Sequence, residues 1–363
     1  MTEFNARLRR MPRYPAADSY GAGGDDTVLL ASNETPWGPP EPVRQAAERA
    51  AAEVNRYPDP EAKLLRQRIA ERYDFPAERI AVGNGSCELL LAAADILLEE
   101  GDEIVYAWPS FSMYENAAAM TGARAVKVPL DAGWCHDLDA MAGQVTAATR
   151  MVVLCNPNNP TGTALPLDRI EAFIAGLPSH VTVILDEAYV EFSTLQDPDD
   201  SLDLLARHPN LLLLRTFSKV YGLAGLRVGY ALCAQDMKQA ADLVRQPFSV
   251  NAIAQAAGAE AMLHQDEIAR RVERIVTERL HMEEALRERG FDVASSQANF
   301  AWVGLGKHDE RTVMRGLGER GVVVRAGAPL GGEGHLRVTF GTRAENDRFL
   351  HALDELVAAV AAA

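Results

Sequence analysis

The 363-residue chain reads as an α/β protein. Three observations predict that class. Seven short apolar, β-branched runs alternate with helical stretches between residues 41 and 248. The runs are nearly continuous in apolar residues, which suits a mostly parallel seven-stranded sheet covered on both faces. Beyond about residue 248 the pattern changes to one long helix, four short strands and a closing helix, an α+β arrangement. At roughly 100–200 residues per domain, the length accommodates both units. The expected division is an N-terminal arm over 1–35, a large domain over 36–248 and a small C-terminal domain over 249–363.

Residues 1–35 are dotted with Gly, Pro and Arg, and 21–26 is expected to be a mobile loop. Helical stretches follow at 41–54, 60–73, 87–99, 110–121, 166–176 and 235–246. Pro42 sits where a first helical turn tolerates proline, because the missing N–H is unpaired there anyway. The runs between the helices are 80–82, 103–106, 125–128, 151–155, 181–185, 211–215 and 228–232; their lengths suit buried strands. In the last third, a charged amphipathic helix fills 265–289. Short strands are expected at 291–294, 299–303, 322–325 and 335–340, and a helix over 344–360.

Composition narrows the function. Lys plus Arg total 36 and Asp plus Glu 51, a formal net charge of −15. A general nucleic-acid or anionic-membrane binder would be basic, so neither partner is expected. Cys87, Cys135, Cys155 and Cys233 form no CxxC pair and have no histidine at zinc spacing, so they read as reduced thiols with no metal. The first fifteen residues carry arginines but no apolar core, unlike a secretory signal. No stretch approaches the roughly 20 apolar residues of a membrane helix. A cytoplasmic protein is expected.

Three segments directly follow predicted strands, where ligands of open α/β sheets gather. They are Asn156-Pro157-Asn158-Asn159-Pro160-Thr161-Gly162, Asp186-Glu187-Ala188-Tyr189 and Thr216-Phe217-Ser218-Lys219 with Gly222–Arg227 behind it. Taken singly, the first is a turn, Asp186 a helix cap, Lys219 a surface lysine and Arg227 half of an ion pair. Their combination is far more specific.

In that order and spacing, the segments resemble the fold-type I pyridoxal-phosphate (PLP) aminotransferases over residues 30–342. The likeness extends to Ala31-Ser32-Asn33-Glu34, Asn55-Arg56-Tyr57-Pro58-Asp59-Pro60, Gly83-Asn84-Gly85-Ser86, Phe111-Ser112-Met113-Tyr114 and Arg337-Val338-Thr339-Phe340-Gly341-Thr342. The resemblance implies that Lys219 holds the cofactor aldehyde as an imine and, once displaced, moves the substrate α-proton. It implies that Asp186 keeps the ring nitrogen protonated, so that the ring is an electron sink. Asn159 and Tyr189 match the residues that bond the ring's phenolic oxygen, and Phe111 the one that stacks on the ring. Gly85, Ser86 and Cys87 open a helix whose N–H groups suit a phosphate, with Ser218 and Arg227 beside them. The family often has Asp where this chain has Cys87; a backbone contact survives that exchange. Tyr57 matches a tyrosine that reaches the neighbouring subunit's phosphate, which implies a homodimer with shared active sites.

Within the family the motifs look most like the histidinol-phosphate aminotransferases. That implies L-histidinol phosphate and 2-oxoglutarate as donor and acceptor. Arg337 then matches the substrate-anion arginine. Arg325 matches its companion, with a surface ion pair as the plainer alternative. Asn33 and Tyr14 line the pocket, Tyr20 competing with Tyr14. Gly341-Thr342 after RVTF, the FSMY segment and Pro247-Phe248-Ser249-Val250-Asn251 favour this branch. The alternative is an aromatic amino-acid aminotransferase, which shares the same motifs. A PLP decarboxylase and a non-catalytic regulatory module are weaker; the chain has no room for a DNA-binding domain before residue 30.

Overall fold

The computed structural model describes residues 5–9, 11–13 and 26–361. Tyr14, Tyr20 and most of the 21–26 loop fall outside the described residues. In chain order the elements are β1 (Val28–Leu29), α1 (Glu41–Ala51), α2 (Lys63–Tyr73), β2 (Ile80–Gly83), α3 (Ser86–Leu97), β3 (Glu103–Trp108), α4 (Met113–Thr121), β4 (Arg124–Pro129), α5 (Leu138–Gly143), β5 (Thr149–Cys155) and α6 (Leu167–Gly176). Next come β6 (Thr182–Asp186), α7 (Leu204–Arg207), β7 (Leu211–Thr216), β8 (Gly229–Leu232), α8 (Gln235–Val244), α9 (Ala252–Ala261) and α10 (Gln265–Glu288). The chain closes with β9 (Asp292–Val293), β10 (Phe300–Gly304), α11 (Glu310–Glu319), β11 (Val322–Val323), β12 (Arg325–Ala326), β13 (His335–Thr339) and α12 (Arg343–Ala361).

The seven expected strands form one sheet, in the order β2-β8-β7-β6-β5-β3-β4. All neighbours are parallel except β8, which runs antiparallel to both β2 and β7. Central strand β7 is buried along its whole length and β5 everywhere but Arg150, as expected of strands covered on both faces. Edge strand β4 alternates exposed and buried residues instead. The register sets Cys155 of β5 beside Asp186 of β6, and Asp186 beside Leu214 of β7. The loops after these three strands therefore leave from one edge.

The last third forms a four-stranded antiparallel sheet, β12-β13-β10-β9. Helix α10 has 24 residues, about 36 Å at 1.5 Å per residue, and buries Ile268, Ile275, Met282 and Leu286. The strand expected at 322–325 is split. Val322–Val323 pairs in parallel with β1, whereas Arg325 pairs with Arg337 on β13. Helices α5, α7, α9 and α11 have no counterpart among the expected elements. Helix α9 packs against α1 and α2, where Gly258 lets it approach Leu65.

Candidate active site

Lys219, Asp186, Tyr189, Asn159, Ser218, Arg227, Ser86, Cys87, Phe111, Asn33, Arg325 and Arg337 all line one cavity of about 430 Å³. Its floor is the carboxyl edge of β5, β6 and β7. One wall is the start of α3. The opposite wall is the small sheet, which contributes both arginines from directly paired positions.

The Lys219 amine donates to the Ser32 carbonyl at 3.1 Å and lies 5.4 Å from the centre of the Tyr189 ring. Burial first, and then the Arg337 guanidinium, pull its pKa down to about 8. At pH 7 about one amine in ten is then neutral, against about one in three thousand for an ordinary lysine.

Asp186 is buried at the cavity floor, 5% exposed. One carboxylate oxygen accepts from the Tyr114 hydroxyl at 2.8 Å, the other from the Ala188 N–H at 3.2 Å. Burial pushes its pKa up to about 6, and the Tyr114 bond holds that rise in check. Burial also pushes Tyr114 far above the usual tyrosine range, so it stays a donor. Behind this edge, Arg215 pairs with Glu187 at 2.9 Å, both fully buried, and ties β7 to the turn after β6.

Arg337 donates to Asn159 Oδ1 at 2.6 Å and to the Ala31 carbonyl at 2.7 Å. The Tyr189 hydroxyl accepts from Asn33 Nδ2 at 2.9 Å. These two bonded pairs flank Phe300, whose ring centre lies 5.0 Å from that of Tyr189 and 5.5 Å from the Arg337 guanidinium. Arg325 is buried at the cavity wall.

At the other end, Arg227 donates to Ser218 Oγ at 3.3 Å and adopts a positive φ of 57°. Gly85 precedes α3 with φ of 76°, and a Cβ there would lie 2.7 Å from Arg227 Nη2. Gly85 does not itself line the cavity. It is the turn that lets Ser86 and Cys87 present the helix start. A helix N-terminus, a hydroxyl and a guanidinium make an anion cradle. The Cys87 thiol is pushed up by burial, away from the reactive thiolate form.

An amine, a buried acid and an anion cradle in one cavity fit pyridoxal phosphate. Lys219 would meet its aldehyde, Asp186 its ring nitrogen, and Ser218, Arg227 and the α3 N-terminus its phosphate. Among the described residues, no group of three His, Cys, Asp or Glu side chains could hold a metal.

Tyr57 is not brought to this cavity within its own chain. It is 84% exposed and stacks on Phe248 with ring centres 4.7 Å apart. The sequence reading assigned no role to Ser32, Tyr114, Cys155, Thr216 or Leu330, yet Tyr114 bonds Asp186 and the others line the cavity. Tyr114 stood inside the quoted FSMY segment, but nothing local signals that its hydroxyl reaches across the sheet edge.

Residues 25–353 match the family described as aminotransferase class I and II. An aromatic amino acid aminotransferase of Streptomyces coelicolor is 41% identical over 355 residues, 97% of each chain. One from Mycobacteroides abscessus is 42% identical over 347 residues, 95% of this chain and 97% of that one. Among solved structures, the histidinol-phosphate aminotransferase of Sinorhizobium meliloti, in complex with pyridoxal-5'-phosphate, superposes with a TM-score of 0.90 at 29% identity over 99% of both chains.

Proposed function

The chain belongs to the class I and II aminotransferases, and from that premise we propose that it moves amino groups between aromatic L-amino acids and 2-oxo acids. It is a PLP-dependent aminotransferase. The observation that supports the aromatic branch is near-full-length similarity at 41–42% identity to relatives of that name. This moves the preference away from histidinol phosphate, which the sequence motifs favour. The histidinol-phosphate reading stays as the second one, supported by the close structural likeness and by two buried arginines in the cavity.

Pyridoxal phosphate, when bound, supplies an aldehyde for amines and a ring that draws electrons from the substrate α-carbon. Lys219 holds that aldehyde between turnovers, and its depressed pKa keeps a usable neutral fraction. The Lys219 amine, when free, would take the substrate α-proton and redeliver it. Asp186 keeps a proton on the ring nitrogen. Asn159 and Tyr189 would hold the ring oxygen, Phe111 would stack on the ring, and Ser86 and Cys87 beyond the Gly85 turn, with Ser218 and Arg227, would hold the phosphate. Arg337 takes the substrate carboxylate in its planar fork, with Asn159 and the Ala31 carbonyl setting its orientation and Asn33 lining the cavity nearby. Arg325 stands beside Arg337, on the paired position of β12. Tyr57 reaches the phosphate of a second copy in a cytoplasmic homodimer. The exposed Tyr57–Phe248 stack supports an outward reach.

The test is product analysis with L-phenylalanine and 2-oxoglutarate, compared with L-histidinol phosphate and 2-oxoglutarate. We expect phenylpyruvate and glutamate, with kcat/KM for phenylalanine at least about tenfold the higher. A histidinol-phosphate preference of that size would replace the aromatic reading.

Two further outcomes follow from the geometry. Cofactor-free protein should take up the aldehyde at a rate that rises about tenfold per pH unit and levels near pH 8; a rise continuing to pH 10 would mean an unperturbed lysine. Tyr114→Phe removes the donor that holds down the Asp186 pKa. Ring-nitrogen protonation, read by 15N NMR of labelled cofactor, should weaken and turnover should fall about tenfold. An unchanged 15N shift would deny Tyr114 any part in tuning Asp186.

A further inference from the structure

This inference rests on the aromatic reading and names the part of the cavity that selects the side chain. Strands β12 and β13 are joined by residues 327–334, which include a 3-10 turn at Ala328–Leu330. That turn places Leu330, 6% exposed, in the cavity wall with Arg325 and Arg337. The joining segment is held at both ends by one side chain. Glu310, buried at the start of α11, accepts from the Ala328 N–H at 3.1 Å and from the Gly334 N–H at 2.7 Å. The Gly327 N–H donates to the His335 carbonyl at 2.8 Å, and the Leu330 N–H to the Gly327 carbonyl at 2.8 Å.

The segment is also pressed against two tryptophans. A Cβ on Gly331, whose φ is 93°, would collide with the Trp108 indole, and one on Gly332 would fall into the Trp302 ring. Trp302 is itself fixed by stacking on His335, ring centres 5.0 Å apart and 9° from parallel. Leu330 packs with Trp302 and Trp134. A leucine so firmly placed beside two guanidiniums makes a site with a charged half and a hydrocarbon half.

We propose that Leu330 is a specificity-determining residue that meets the substrate's side chain, and that Glu310 is the positioning residue that holds it there. The fitting substrate carries an anion for the arginines and an apolar ring for Leu330. A side chain ending in phosphate gains nothing from that wall and loses hydration against it.

The test uses the holoenzyme. Leu330→Ala should lower kcat/KM for L-phenylalanine about tenfold, mainly through KM, and leave L-glutamate within about twofold. Calorimetric binding of 3-phenylpropionate, which has no amino group to transfer, should weaken by about the same tenfold. Leu330→Met keeps the volume and should stay within about threefold of the parent on all three. Glu310→Gln should lower the phenylalanine-to-glutamate ratio in the same direction. Equal losses for phenylalanine and glutamate in Leu330→Ala, or unchanged 3-phenylpropionate binding, would overturn the proposal. If the parent itself fails to use phenylalanine, the aromatic reading falls first and takes this inference with it; the parent alone reveals that case.

Discussion

Lys219→Ala is expected to abolish turnover, by at least about four orders of magnitude, with either donor. Two roles vanish together. The variant loses the amine that holds the aldehyde, and it loses the group that moves the α-proton, itself worth about 10²–10⁴-fold. No other lysine lines the cavity among the described residues, so no neighbour can substitute. Borohydride reduction of the parent should fix pyridoxyl phosphate to the peptide containing Lys219, and reduction of the variant should fix none. A label on another lysine, or a variant turning over at the parent rate, would remove the central assignment. The fold should survive, because the bond lost is the one from the Lys219 amine to the Ser32 carbonyl.

Asp186→Asn should separate catalysis from stability. An amide cannot hold a proton on the ring nitrogen as a carboxylate does, so turnover should drop by about a thousandfold. Stability of the cofactor-free protein should move the other way. The folded carboxyl has its pKa raised from 3.8 to about 6, so the folded state keeps its proton longer than the unfolded chain between those values. Stability therefore falls as pH rises through that window, and the deficit is complete above pH 6. At neutral pH it is on the order of 3 kcal/mol. The amide escapes that deficit but offers one acceptor oxygen to two donors, Tyr114 O–H and Ala188 N–H, a loss of about 1 kcal/mol. A net gain of about 2 kcal/mol is expected, read as a raised Tm at pH 7.5 and little change at pH 4. A Tm lowered at both pH values would mean that the buried carboxylate supports the fold instead of straining it.

Much of this was legible before any coordinates. All seven sheet strands are recoverable within one or two residues: in a strand covered on both faces such as β7 burial leaves an apolar run, and in edge strand β4 exposed and buried residues alternate. The three loops at the carboxyl edge are legible for a different reason. Their residue types are dictated by chemistry, so Asn159, Asp186, Tyr189, Ser218, Lys219 and Arg227 stand out in sequence and meet in one cavity.

What stayed hidden is what depends on long-range packing. Helix α9 is rich in Ala and shows little contrast between faces, because half of it is buried and none of it is fully exposed. Helix α11 carried a findable signal, Asp309 capping the N–H of Thr312 at 2.8 Å. The split of 322–325 follows from two different pairing partners, β1 and β13, which no local pattern encodes. Tyr114 and Leu330 are apolar or aromatic residues in ordinary contexts; only the tertiary fold aims one at Asp186 and the other into the cavity.

The measurement that tests the account most directly is a single-turnover absorbance experiment on the purified, cofactor-loaded protein. It is mixed separately with L-phenylalanine, L-histidinol phosphate and L-glutamate, and conversion of the cofactor from its aldehyde to its amine form is followed. The account predicts rapid conversion by phenylalanine and glutamate, with histidinol phosphate slower by at least about tenfold. Conversion by histidinol phosphate and glutamate, with phenylalanine slower by that factor, would contradict it and return the chain to the histidinol-phosphate branch.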